Sequence, residues 1–208
     1  MRFSIFTTTA TLGVALAQLP AVDVVKNVET LTAKSQALLA PAQQLSITNA
    51  PLLLIGAGPW PTVIGGFTDI IATATGAIGA MSAGPKASYG GDDATAIGNA
   101  FRVFVKAHQD LLNTLIGKAG FLTKIPFVGP PVTAVLRGIE SVVDTIAYGI
   151  IGSIEGPVAS IMKGDLAALD GTIAGAITSF SPTVFRMNVD NVMEFSEKMA
   201  EAMEVLQM

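Results

Sequence analysis

The chain has 208 residues, room for one domain of ordinary size with appendages and too few for two full enzymatic domains. Half of them are hydrophobic and only 13% are charged, about half the charge of an average soluble protein, so a bilayer or an unusual surface has to account for the composition. Acids outnumber bases 16 to 12, which makes nucleic acid and strongly anionic membranes poor partners, and the absence of cysteine leaves stability to packing alone.

Residues 1–17 read as a secretory leader. Arg2 supplies a weak positive start, Phe3 to Leu16 an apolar, threonine-rich stretch, and Ala15-Leu16-Ala17 a small-x-small cleavage site. The mature chain is then expected to begin at Gln18 and to be secreted, extracellular or associated with a cell wall. Without Arg2, 11 basic residues face the 16 acids, a formal −5. No Asn-x-Ser/Thr sequon is present, which leaves O-linked sugars as the common glycan option. The uncharged stretch Leu45 to Thr68 is interrupted by Pro51, Pro59 and Pro61, and Val132 to Ile154 carries Arg137, Glu140 and Asp144, so neither suits a transmembrane helix. Glu194, Glu197, Glu201 and Glu204 leave no apolar tail to exchange for a lipid anchor, and a soluble mature chain is expected.

From there the periodicity is helical. Val22, Val25, Val28, Leu31, Leu38, Ala42 and Leu45 predict a first amphipathic helix over about 20–47, followed by a Pro/Gly-rich connection from Asn49 to Pro61. The cleanest stripe, Val63, Ile64, Phe67, Ile70, Ile71, Ala74, Ile78 and Met81, predicts a second helix that Ala83-Gly84-Pro85 stops. After Gly90-Gly91, Asp92 or Asp93 is the expected cap of a third helix whose apolar face is Ile97, Phe101, Phe104, His108, Leu111, Leu112 and Leu115.

A Pro-rich joint, Pro126 to Pro131, precedes a fourth helix with a broad stripe from Val132 through Val143 and Ile146 to Ile154, the breadth expected of a central helix touched on several sides. Gly156-Pro157 ends or kinks it. A fifth runs through Val158, Ile161, Met162, Leu166, Leu169, Ile173, Ile177 and Phe180 to Ser181-Pro182. The predicted fold is all-α: an up-and-down bundle of four to five amphipathic helices over residues 18–181, with an additional C-terminal helix in 182–208. That last segment holds five of the eight methionines and an acidic polar face. It reads either as a movable cover over the bundle's apolar opening or as a sixth core helix with methionine as gap filler.

Motifs with chemistry are sparse. Leu52-Leu53-Leu54-Ile55-Gly56-Ala57-Gly58 looks superficially like a dinucleotide-binding turn, but Pro61 stands at the third glycine position and no βαβ context surrounds it. His108 is the single histidine and lies on an apolar stripe; with no cysteine, a zinc site would need an improbable set of carboxylates. Asp110 falls on a different face of the same helix and no serine sits in a nucleophile elbow, so no catalytic triad is placed. His108 reads as a core or pocket-lining histidine, or as a group that holds a ligand's polar head. No catalytic residue, metal or cofactor is expected.

The order of features resembles the fungal hydrophobic surface-binding protein A family, which includes cell-wall galactomannoproteins. The likeness is carried by the leader, by Val24-Val25-Lys26-Asn27-Val28-Glu29-Thr30-Leu31 and Ala37-Leu38-Leu39 in the first helix, by two long central helices, and by Leu166-Ala167-Ala168-Leu169-Asp170-Gly171-Thr172-Ile173 near the end. It covers roughly residues 20 to 180; the inserts at Asn49 to Pro61 and Ile125 to Pro131 and the segment after Pro182 depart from it. The resemblance implies a noncatalytic helical bundle that adsorbs to hydrophobic surfaces or holds a fatty-acid-like lipid between helices. The expected lining is Phe67, Ile71, Phe101, Phe104, His108, Leu112, Ile139, Val143, Ile146, Ile173 and Ile177, residues that a dry core would also use. The alternative is a structural wall protein or a secreted effector that binds a protein partner.

Overall fold

The computed structural model describes residues 19–46, 48, 52, 57–84, 88–125 and 128–181. The expected leader over 1–17 with its cleavage site, and the expected C-terminal helix in 182–208, lie outside the described residues. Each of the five predicted stripes is a helix: α1 (Ala21–Gln44), α2 (Pro59–Ser82), α3 (Gly91–Leu122), α4 (Gly129–Ile151) and α5 (Pro157–Phe180). Outside the helices, the described residues carry one isolated parallel bridge between Tyr89 and Ile154.

In α1 the buried face is Val24, Val28, Leu31, Ser35, Leu38 and Ala42, continued by Leu45. These positions alternate steps of four and three, and the same register extrapolates back from Val28 to Val24. The expectation that Val22 and Val25 belong to the stripe is corrected accordingly: Val22 is 69% exposed and Val25 only half-buried. Ser35 occupies a core position of this heptad, and Thr32 lies beside it. Each hydroxyl donates to the carbonyl four residues back, Leu31 O and Val28 O respectively, at 2.9 Å, which satisfies it inside an apolar interface.

The proline clusters expected to lie in connections begin helices instead. Pro59 opens α2, with Trp60 and Pro61 in its first turn, and Pro130 and Pro131 lie in the first turn of α4, where a missing N–H costs nothing and the fixed φ suits the helix. Gly58, at φ +81°, makes the turn into α2 in a conformation that L side chains rarely adopt. Neither Asp92 nor Asp93 caps α3: the N-cap is Gly90, with no side-chain cap bond. Both aspartates fall in the first turn and favour the helix through its dipole.

The helices close into a ring in the order α1, α3, α5, α4, α2, each packed chiefly on two neighbours. The expected central role of α4 is therefore corrected: it packs mainly on α2 and α5, and its broad stripe serves those two contacts and the interior between them. Connections run up and down, yet α1, α3 and α5 are parallel neighbours. Tyr89, just before α3, ties their starts together: its hydroxyl donates to Leu19 O ahead of α1, its N–H donates to Ser153 O (2.7 Å), and its carbonyl accepts from Glu155 N (2.9 Å) ahead of α5. Mid-helix, Lys34 of α1 pairs with Asp69 of α2, and Gln109 Nε2 of α3 donates to Ala168 O of α5 at 3.0 Å. By length and composition alone α2 could cross a membrane; here Val63, Phe67, Ile70, Ala74 and Ala77 are buried in the bundle.

Gly66 sets the approach of α1 to α2. A Cβ at this position would come within 2.2 Å of Leu38 Cδ2 and 2.9 Å of its Cγ, so the whole buried leucine would have to move, whereas a Cβ on neighbouring Gly65 would meet nothing within 4 Å. Overpacking of this kind costs ~1–3 kcal/mol, against a helix-propensity gain near ~1 kcal/mol. Gly66→Ala should therefore lower the denaturation midpoint, and Gly65→Ala should leave it unchanged or raise it, as read by urea unfolding.

Candidate functional site

The ring's interior collects the expected lining. Phe67, Phe101, Phe104, His108, Leu112, Ile139, Val143, Ile146 and Ile173 are all buried, and all except His108 are part of one continuous apolar cluster. Ile71 and Ile177 are half-buried at its edge rather than enclosed. These residues come from α2, α3, α4 and α5. The residue that sequence reasoning missed comes from α1: Ser35, fully buried, places its Oγ 2.9 Å from His108 Nδ1. Its signal was a lone polar side chain on the heptad through Val28, Leu31, Leu38 and Ala42.

His108 sits near the middle of α3, with no exposed surface. The Phe104 ring lies 5.4 Å from the imidazole, centroid to centroid, and the Phe67 ring meets it edge-on at 6.2 Å. Burial pushes its pKa down to about 4, so the ring is neutral at physiological pH. Among the described residues its Nε2 has no hydrogen-bond partner. Such an atom in an apolar interior is costly unless something meets it.

Ser35 and His108 are not a nucleophile and its base. The serine proton is directed to Leu31 O, the pair is sealed from solvent, and Asp110 points outward on another face of α3. Among the described residues no group of three or more His, Asp or Glu could hold a metal.

One carboxyl pair lies apart, where Asp144 of α4 faces Asp170 of α5. Burial, then repulsion from Asp144 and the hydrogen bond that protonated Asp170 donates to it, then repulsion from Glu140, raise the Asp170 pKa to about 6. A raised carboxyl pKa stabilises the fold when protonated, and that contribution is lost as pH rises from about 4 through 6. Asp170→Asn is accordingly expected to raise the melting temperature at pH 7, with the gain shrinking to nothing near pH 4.

A concavity of about 460 Å³ lies between α1 and α3 on the outside of the ring, its lining including Val25, Glu29, Ala33, Asn99, Ala100 and Val103. It is open to solvent, and Val103 is 55% exposed.

No family model matches the chain, and no curated protein sequence does. The fold is shared with solved structures. One is AFMP4P in complex with palmitic acid, 14% identical with a TM-score of 0.58, for which the match covers 78% of this chain and all of that one. Another is ligand-binding domain 1 of the Penicillium marneffei MP1 protein complexed with arachidonic acids, 18% identical with a TM-score of 0.66, covering 78% of this chain and 99% of that one. At these identities the likeness is one of fold, and it agrees with the all-α bundle expected from the periodicity.

Proposed function

We propose that this protein is a noncatalytic, secreted lipid carrier or adsorber that takes up long-chain fatty acids between the helices of its ring, in the manner of the hydrophobic surface-binding protein A family it resembles. The observation that carries the reading is the interior itself: apolar faces of all five helices meet around one buried histidine with an unmatched nitrogen. The two structures of the same fold that hold palmitic and arachidonic acids support it. Removing an aliphatic chain from water contributes about 25 cal/mol per Å² of apolar area, so a lipid needs no charge pair to be held. The chain would enter by parting helices, with Phe67, Phe101, Phe104, Leu112, Ile139, Val143, Ile146 and Ile173 around it and Ile71 and Ile177 at the edge.

Adsorption to hydrophobic surfaces is the second reading, favoured by apolar side chains left in solvent on α3, α4 and α5: Val103, Tyr148 and Ile161. Both readings are tested on protein recovered from the culture medium of an expressing host. It should begin at or near Gln18, carry lipid in native mass spectra, and after delipidation take up palmitic acid by calorimetry or bind hydrophobic beads. A folded protein that does neither contradicts both readings, and secreted material that retains Met1 contradicts the leader.

A further inference from the structure

The hydrogen-bond arithmetic around His108 determines what its free nitrogen can accept. Ser35 has a single hydroxyl proton. Leu31 O, 2.9 Å away, is a carbonyl and can only accept, so the proton lies on that line and Oγ turns a lone pair toward His108 Nδ1, also 2.9 Å away. The opposite assignment would leave two bare oxygens facing each other at 2.9 Å. Nδ1 therefore carries the proton of the neutral imidazole, and Nε2 is left as a bare acceptor, with no exposed surface and no partner among the described residues. No charged neighbour contributes to its titration, which burial alone depresses. A bare acceptor repels an ionised carboxylate and accepts from an O–H.

We infer that His108 is a head-group acceptor, whose Nε2 receives a hydrogen bond from the hydroxyl of an uncharged lipid head, either a long-chain alcohol or an undissociated carboxylic acid. The inference rests on the lipid-binding reading above and narrows it to ligands that bring a proton. The head group lies against the Phe104 and Phe67 rings, where no charged group among the described residues acts on the imidazole. Ser35 is a positioning residue: it touches no ligand and fixes which imidazole nitrogen is bare.

The test compares hexadecan-1-ol with its methyl ether, which has the same chain and oxygen but no donor, on delipidated full-length protein by calorimetry at neutral pH. The alcohol should bind about tenfold more tightly, the worth of one buried hydrogen bond. His108→Phe should bring the two within about twofold of each other. In a separate arm, bound palmitic acid labelled with ¹³C at its carboxyl carbon should show the resonance of the protonated acid. Should His108→Phe fail to fold, the alcohol and ether on the unaltered protein decide the matter by themselves. Equal affinity for alcohol and ether, or a bound carboxyl carbon at the ionised position, overturns the role of His108 and leaves lipid binding standing. Failure of alcohol, ether and palmitic acid alike to bind overturns both.

Discussion

Phe104→Asp is expected to abolish the cooperative thermal transition at neutral pH. Phe104 is 1% exposed and contacts both Phe101 and His108. Truncating such a ring in a core costs ~3–5 kcal/mol, and an unpaired carboxylate in its place adds several more or must be protonated. Domains of this size are stable by only ~5–15 kcal/mol, so the sum exhausts most of that margin. Circular dichroism should show residual helix with a broad, non-cooperative melt, and acidification should partly restore the transition as the new carboxyl takes up a proton. Phe104→Leu, which keeps most of the volume, should cost no more than ~1–2 kcal/mol. A sharp wild-type melt in Phe104→Asp at pH 7 would mean that position 104 is not packed as described.

Acidification of the unaltered protein should weaken the fold between pH 6.5 and 4 through His108. Its folded pKa, about 4, lies below the ordinary 6.5, so the stability it contributes is complete above 6.5 and is lost as pH falls through about 4. The full difference is on the order of 3 kcal/mol. Asp170 works in the opposite direction over nearly the same window, because its protonated form is the favoured one. The two are separated by variants: urea midpoints of Asp170→Asn should fall more steeply on acidification than those of the parent, and His108→Leu should flatten the slope. A His108→Leu profile parallel to the parent's would show that the imidazole already titrates normally.

The five helices were legible because the apolar residues repeat at helical spacing and few charges interrupt them. The buried interior was legible in part for the same reason, since Phe67, Phe101, Phe104 and His108 lie on their stripes. The ring order was not. α3 packs between α1 and α5 rather than on its sequence neighbours α2 and α4, and nothing in its own sequence names those partners. Ser35 was not legible because a hydroxyl on an apolar stripe does not name its partner, here His108 Nδ1 on another helix. Prolines are ambiguous at boundaries: a Pro-rich stretch suggests a connection, yet the fixed φ of Pro59, Pro130 and Pro131 starts a helix. Val22 misled by composition, being apolar but off the heptad that Val24 begins.

A palmitic acid analogue carrying a diazirine along its chain, bound to delipidated protein and irradiated, distinguishes lipid inside the ring, as proposed, from lipid in the groove between α1 and α3 once the cross-links are mapped by mass spectrometry. Labelling is expected at inward positions of several helices, among them Phe67, Phe104, Ile139 and Ile173. Labelling confined to Val25, Ala33, Ala100 and Val103 would contradict it.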